Sequence, residues 1–280
     1  MLAVHTLLER ASQSRPFPLL PVVLVLVGTL PAYATVQLSK AAAEAFYHYT
    51  TLTEARMQAA LPPGGFLWLD GQPETKAKVR KGQRIILARA TQDHGRDIEV
   101  PNGLIQDWLG TIFMPNATLA KVRAVMQDYP DYKRMFAPEI IESKLLKHEG
   151  DRYEVFLRLY KKQLLTVVLN TRYEIRYSAP DSRRLAVASR STRINEVKDV
   201  KPPYADEYAE GEDTGFLWRL NSYWRFEEAD GGVYAECEAI SLSRDVPFGL
   251  GWMVGKFVEK FPKESMQSTL KSVQRAVEAR

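Results

Sequence analysis

The sequence carries one cysteine, Cys237, in 280 residues. A single thiol cannot close an internal disulfide, and it cannot supply a thiolate zinc cluster. Histidine is almost as scarce: His5 lies in the N-terminal segment, His48 in a helix candidate, His94 in a polar loop and His148 beside a turn. None falls on a strand face that could wall a pocket, so the commonest general acid–base side chain is missing there. HExxH, GxSxG, a glycine-rich phosphate loop and clustered metal ligands are all absent, which removes the readiest signatures of hydrolase, nucleotide and metal chemistry. No long run of Lys and Arg stands out. They are interleaved with acids to a net charge of +4, the pattern of a solvated mixed surface rather than a nucleic-acid footprint. Hydrophobic residues make up 45% of the chain, which at this length allows a stable core without disulfides.

What is present begins with residues 1–34. Arg10 and Arg15 form a positive region with Glu9 as its only acid, 18–30 is uncharged and apolar, and Ala32-Tyr33-Ala34 has the small-x-small form a signal peptidase accepts. The expectation is a signal peptide cut after Ala34, and an exported protein, periplasmic or secreted. The alternative is a retained anchor. Against it, the apolar stretch is about a dozen residues where ~20 are needed to span hydrocarbon, and Pro18, Pro21 and Pro31 interrupt it. With no cysteine near the site, lipid attachment there is excluded.

Residues 36–61 are rich in Ala, Glu, Lys and Gln and predict one helix, stopped by Pro62-Pro63-Gly64-Gly65. With a brief strand candidate at 84–90, the segment 35–100 is expected as a helical appendage and linker. From Gly103 the pattern sharpens. A strand at 104–114 leads into a helix at 118–126 with Leu119, Val122, Val125 and Met126 on one face, and a short helix at 132–136 follows. Strands are expected at 140–147, 153–160, 164–177, 184–197, 216–228 and 233–244, parted by turn signals at Glu149-Gly150, Ala179-Pro180-Asp181 and Asp230-Gly231. The chain then ends in helix. Met253, Val254, Phe257, Val258 and Phe261 form one stripe, and Met266, Leu270, Val273 and Val277 form another after Pro262. Proline is compatible with that helix only as a kink or as a new first-turn residue. Strands joined by short turns pair antiparallel, and the last helix is the long apolar element available to cover one face of the sheet.

This order over 103–280, with Trp108-Leu109-Gly110 before the first helices and Ser-Thr-Arg-Ile-Asn-Glu-Val at 191–197, resembles the START-like superfamily. That group is also called helix-grip, SRPBCC or polyketide cyclase/dehydrase and lipid transport. The resemblance implies an α+β domain over 101–280, a curved antiparallel sheet of about seven strands around the long C-terminal helix. It also implies a cavity between them for lipids, sterols, quinones or polyketide-like molecules. No cofactor is expected.

The hairpin 216–244 carries the most detail. If Asp230-Gly231 is a two-residue type I′ loop, Ala229 faces Gly232 and the whole register follows. Trp218, Leu220, Ser222, Trp224 and Phe226 then share a face with Ser243, Ser241, Ala239, Cys237 and Ala235. On the other face Arg225 opposes Glu236 and Tyr223 opposes Glu238, a polar ladder expected to meet solvent. The apolar face turns inward. Its small residues either leave a cavity walled by the tryptophans or let the helix pack close. Leu165, Val167, Leu169, Thr171, Tyr173, Ile175 and Tyr177 alternate as a second inner face. The ligand-binding candidates are Trp218, Leu220, Trp224, Phe226, Thr171, Tyr173, Ala239 and Arg193. Arg193 fits two strand phases, and so either faces the ligand or pairs with an acid on the surface. Asp107, beside Trp108, has the same ambiguity. Cys237 is expected inward and inert.

The functional expectation is an exported binding or carrier protein for an apolar, lipid-like molecule. Peripheral membrane contact is a further possibility; nucleic acid is not a partner. The alternatives are a cyclase- or hydrolase-like enzyme using Tyr, Asp or Arg in the same cavity, and a structural cell-envelope protein. Cleavage is directly testable: mass spectrometry of the mature, membrane-extracted protein should find Thr35 at the N-terminus, and peptides from residues 1–30 would establish the anchor instead.

Overall fold

The computed structural model describes residues 36–59, 64–162, 166–245 and 251–280, with backbone alone described for 36 and 251–259. The expected signal segment, Thr35, Pro62, Pro63, Leu165 and the side chains of Met253, Val254, Phe257 and Val258 lie outside what is described.

Asp230 and Gly231 have φ of 56° and 78°, both left-handed, as a two-residue type I′ turn requires. The strands they join, Arg219–Ala229 and Gly232–Arg244, pair in the register expected: Ala229 with Gly232, Arg225 with Glu236, Trp224 with Cys237 and Ser222 with Ala239. Labelling strands in chain order, the main sheet comprises β1 Ile85–Arg89, β2 Gly103–Pro115, β3 Ile140–Glu149, β4 Arg152–Lys162, β5 Thr166–Asp181, β6 Arg184–Glu196, β7 Arg219–Ala229 and β8 Gly232–Arg244. The order across it is β1-β2-β8-β7-β6-β5-β4-β3, antiparallel at every junction.

The helices are α1 Lys40–Ala59, α2 Pro73–Arg80, α3 Leu119–Met126, α4 Tyr132–Met135 and α5 Gly251–Glu278. Thr118 caps α3, its hydroxyl accepting from the Lys121 N–H. Helix α5 runs through Pro262 without a break. Its stripe Met266, Leu270, Val273 and Val277 is buried with Ile112, Met114, Trp224, Phe226, Ala235 and Cys237 of the sheet and with Val122, Val125 and Met126 of α3. This is a helix-grip arrangement: a sheet holding the last helix on one face.

Residues 35–100, expected as an appendage, are not set apart from that sheet. They belong to the same compact unit as the rest of 34–280, and Ile85–Arg89 is its edge strand, paired with β2. Helix α1 and the segment around Leu67 and Leu69 lie on the opposite face from α5, burying Phe46 and Tyr49 with Tyr223, Ile240 and Leu242, and Leu67 and Leu69 with Phe113 and Tyr234. The polar ladder is therefore not at solvent: Glu236, Glu238 and Asp107 are 3%, 5% and 3% exposed. The reason is that the covering helix is polar too. Its buried residues include Tyr49, Thr50 and Thr53, so it docks on a polar face by hydrogen bonds.

At Gly110 α5 comes close to the sheet. A Cβ there would lie 2.7 Å from Met266 Cγ and 2.8 Å from Leu270 Cδ1, inside any normal contact distance. Gly110→Val should cost about 1–3 kcal/mol by overpacking, read as a lowered denaturant midpoint at unchanged m-value. A neutral result would mean that α5 does not press on this strand.

Candidate functional site

Along β7, Leu220, Ser222, Trp224 and Phe226 face α5. Across the sheet the same face continues through Ala235, Cys237, Ala239 and Ser241 of β8 and Ile112, Gly110 and Trp108 of β2. On the other side it runs through Leu185, Val187 and Ser189 of β6, Tyr173, Ile175 and Tyr177 of β5, and Tyr153, Val155, Leu157 and Leu159 of β4. The face has two ends of different character. Towards α3 the strand residues are closed off: Phe226, Leu185 and Ala235 are each at 0% exposure. Towards the start of α5, the apolar Trp108, Leu157, Leu159, Leu220 and Ala239 are only half-buried, as are Ser189, Ser222 and Ser241.

Of the residues the sequence singled out, Trp224, Phe226 and Tyr173 lie in the closed core, with Leu220 and Ala239 packed at its margin. Thr171 is fully buried and donates to the Leu157 carbonyl at 2.7 Å, so its hydroxyl is engaged with the sheet. Two candidates are elsewhere. Trp218 sits on the α1 side, clustered with Phe46, Tyr49, Ile240 and Leu242, its indole N–H donating to Asp213 Oδ1 at 3.0 Å. Alternation from 216 places Trp218 on the inner face, but β7 begins at Arg219, and the ring before it turns to the other face. Arg193 points outward and pairs with Glu207 at 2.7 Å. The cause is a β-bulge: Arg193 opposes Arg172 while Ser191 opposes the next residue, Tyr173, so Thr192 is the extra residue. Ser191 and Ile194 thereby share the inner phase, and Arg190 and Arg193 the outer one.

Sequence reasoning also missed residues that the inner face collects. Trp108 faces Ala239 directly. Leu157 and Leu159 follow Tyr153 and Val155 in strict alternation, and Lys161 continues it, opposite Val167. That alternation was the available signal.

The hydroxyl groups nearest the closed end are committed to one another. Tyr129 and Tyr177 are 2.6 Å apart, and Tyr177 and Tyr132 both donate to the Met126 carbonyl at 2.7 Å. Burial raises all three phenols and lifts Tyr173 to about 12, so none is a base at neutral pH. Burial likewise pushes the Cys237 thiol up. A surface cleft of about 320 Å³, lined by Arg80, Lys81, Arg84, Phe113 and Gln274 among others, lies at the β1–β2 edge and not beneath the predicted walls. Among the described residues no three His, Cys, Asp or Glu side chains come together as a metal site.

The other titratable cluster lies under α1. Arg56 pairs with Glu238 and stands 3.6 Å from Asp107, which accepts from the Tyr49 hydroxyl at 3.0 Å. Two carboxylates share one guanidinium out of water. Burial, then the neighbouring Glu238 charge, raises Asp107 far above the usual carboxylate range. Glu236 accepts from the N–H groups of Trp68 and Leu69, both at 2.8 Å, and burial still lifts it to about 7. The cluster fastens the N-terminal segment to the sheet.

A carboxyl raised in the folded state binds its proton more tightly there than in the unfolded chain. Stability is therefore greatest below the unfolded value and falls as pH climbs through the folded one. The melting temperature should drop between about pH 5 and 8, a loss on the order of 1–3 kcal/mol. Asp107→Asn, a mimic of the protonated acid, should flatten part of that slope; an identical slope in the variant would remove Asp107 from the account.

No protein-family model and no curated protein matches the chain. Solved structures resemble it in fold. A STAR-related lipid transfer protein from Xanthomonas axonopodis aligns at 17% identity over 68% of this chain and 98% of its own, with a TM-score of 0.42. The Zhui aromatase/cyclase from a Streptomyces species aligns at 14% identity over 63% and 96%, with a TM-score of 0.44. Human STARD10 aligns at 9% identity over 75% and 79%, with a TM-score of 0.43.

Proposed function

We propose that the protein is an exported binding or carrier protein that holds an apolar, lipid-like molecule between its sheet and the first half of α5. The observation that carries this is the change along the inner face. Beside Met266 to Val277 the inner face is buried at Ala235, Cys237, Trp224 and Phe226; farther along it, Trp108, Leu157, Leu159, Leu220 and Ala239 are apolar and only partly buried. Apolar side chains left half-covered in an otherwise closed interior are matched by an apolar ligand. Burying about 350 Å² of such a ligand would contribute roughly 9 kcal/mol gross at ~25 cal/mol per Å², which association costs reduce to weak or moderate affinity unless a polar group adds to it.

A carrier needs no reacting group, and the described inner face offers little for catalysis. His148 stacks on Tyr153 with ring centroids 4.1 Å apart at the sheet edge, and His48 meets Asp93 on the surface. The buried tyrosines are engaged as above.

Ala239 tests the reading, because it sits at the half-open end between Trp108 and Ser222. Ala239→Leu should leave the melting temperature nearly unchanged, a cost under about 1 kcal/mol, while abolishing the quenching of tryptophan fluorescence by a neutral apolar ligand. A loss of about 1–3 kcal/mol would show solid packing at this position and end the carrier reading; quenching that persists would put the ligand elsewhere.

A further inference from the structure

Lys161 occupies an unusual position for a lysine. It continues the inner-face alternation of β4 after Leu157 and Leu159 and lies opposite Val167. Its ammonium stands 5.6 Å from the centre of the Phe261 ring and 3.4 Å from Ser265 Oγ. Those two residues are one turn apart on α5, so the charge lies between sheet and helix. Phe261 in turn packs edge-on against Phe216, at 5.9 Å between centroids, and Phe216 belongs with Val167, Leu169, Ile194, Leu159 and Leu220 to one apolar cluster. The ammonium thus stands at the rim of the half-open apolar surface.

Its partners do not match its charge. The hydrogen bond to Ser265 is long, and the ring of Phe261 offers only a weak attraction. Among the described residues no carboxylate lies within 4.0 Å of it. Glu139, the acid whose charge it feels, uses Oε1 to accept from Ser268 at 2.8 Å. Burial lowers the Lys161 pKa and the Glu139 charge offsets only part of that, as for a cation held out of water with an incomplete counter-charge. A half-buried ammonium is costly unless an anion meets it. Other lysines among the described residues meet acids: Lys76 meets Asp70 at 2.6 Å, Lys144 meets Glu142 at 2.5 Å, and Lys147 meets Glu149 at 3.0 Å.

We propose that Lys161 is the polar anchor of the site and receives the carboxylate of a single-chain anionic amphiphile whose hydrocarbon lies over Leu159, Leu220 and the apolar residues beyond them. The inference rests on the binding reading above and narrows it from apolar molecules at large to those carrying one acidic head. The geometry suits it. The head group stays beside Lys161, where the Ser265 hydroxyl supplies a second donor, and the tail runs towards Leu220 and Ala239. A point charge on a flexible stem grips a carboxylate without a fixed fork, so the site recognises charge and chain rather than a particular head-group shape.

The test compares dodecanoate with dodecanol, both below micelle formation, titrated into the full mature chain by calorimetry and tryptophan fluorescence. The expected result is a preference for dodecanoate of about tenfold or more, the worth of one charge-assisted hydrogen bond. Lys161→Gln should lose that preference while binding dodecanol as before, and Lys161→Arg should keep it. Melting temperatures of both variants verify that they are folded. Equal binding of the two ligands by the wild-type protein would overturn the anchor and leave the carrier reading standing. Equal loss of both ligands in Lys161→Gln would show a merely structural lysine, again overturning the anchor alone. Binding of neither ligand to the wild-type chain would overturn both.

Discussion

Everything on the inner face follows from the absence of a side chain at Gly110. Helix α5 can settle on the sheet because Met266 and Leu270 occupy the volume a Cβ would take, at 2.7 and 2.8 Å from where it would sit. That contact is near the centre of β2, between Ile86 of β1 and Cys237 of β8. It fixes the C-terminal half of α5 at the β1–β2–β8 side. At Phe261 and Ser265 the helix instead meets Phe216 and Lys161, on the far side of the sheet. A close seat at Met266 and Leu270 and a different set of neighbours at Phe261 and Ser265 give the described part of the helix contacts on both sides of the sheet.

The opposite face works by other forces. There the sheet presents carboxylates, and α1 answers with hydroxyls and a guanidinium. Buried carboxylates raised towards neutrality are a poor source of net stability, since desolvation offsets most of what the pairs gain. What they supply is position. Glu236 takes the two N–H groups at Trp68 and Leu69, Arg225 donates to the carbonyls of Phe66 and Met57 at 3.1 and 2.9 Å, and Tyr223 donates to Glu54 at 2.7 Å. An apolar covering could slide on an apolar sheet; this one has one register. It also closes the outer side of β7 and β8, leaving the inner face as the place where apolar surface stays open.

How much of this the sequence disclosed depended on whether local rules determined the outcome. The hairpin register was legible because Asp230-Gly231 admits one turn type, and one turn type dictates every pair beyond it. The stripe from Met266 to Val277 was legible because its period matches a helix. The role of 35–100 was not, because hydrophobic alternation assigns polar strand faces to solvent, and a polar helix docked on a polar face defeats the rule on both partners. Trp218 was misplaced, and the face of Arg193 was left open, for a shared reason. Period-two reasoning holds only within an unbroken strand: Trp218 falls just before β7 begins, and Arg193 falls beside the bulge at Thr192. Neither break leaves a mark in composition. Lys161 was legible in phase but hidden in type, since a lysine reads as surface until the helix that covers it is known.

The small residues on the inner face show why composition alone could not separate a cavity from a solid core. Gly110, Ala235 and Cys237 are small because α5 presses on them: Ala235 and Cys237 are 0% and 2% exposed, in one cluster with Met266 and Leu270. Ala239, two residues along the same strand face, is flanked by Trp108 and Ser222 and is only half-buried. One alternation therefore serves close packing at one end and open surface at the other, and the switch falls between Cys237 and Ala239. Large side chains are placed to match. Phe226 and Trp224 stack with ring centroids 5.4 Å apart inside the packed end, where they fill space, whereas Trp108 and Leu220 stand at the margin, where they border it. Small residues thus differ in burial within two positions of one strand, and the contact with Met266 and Leu270 accounts for the buried ones.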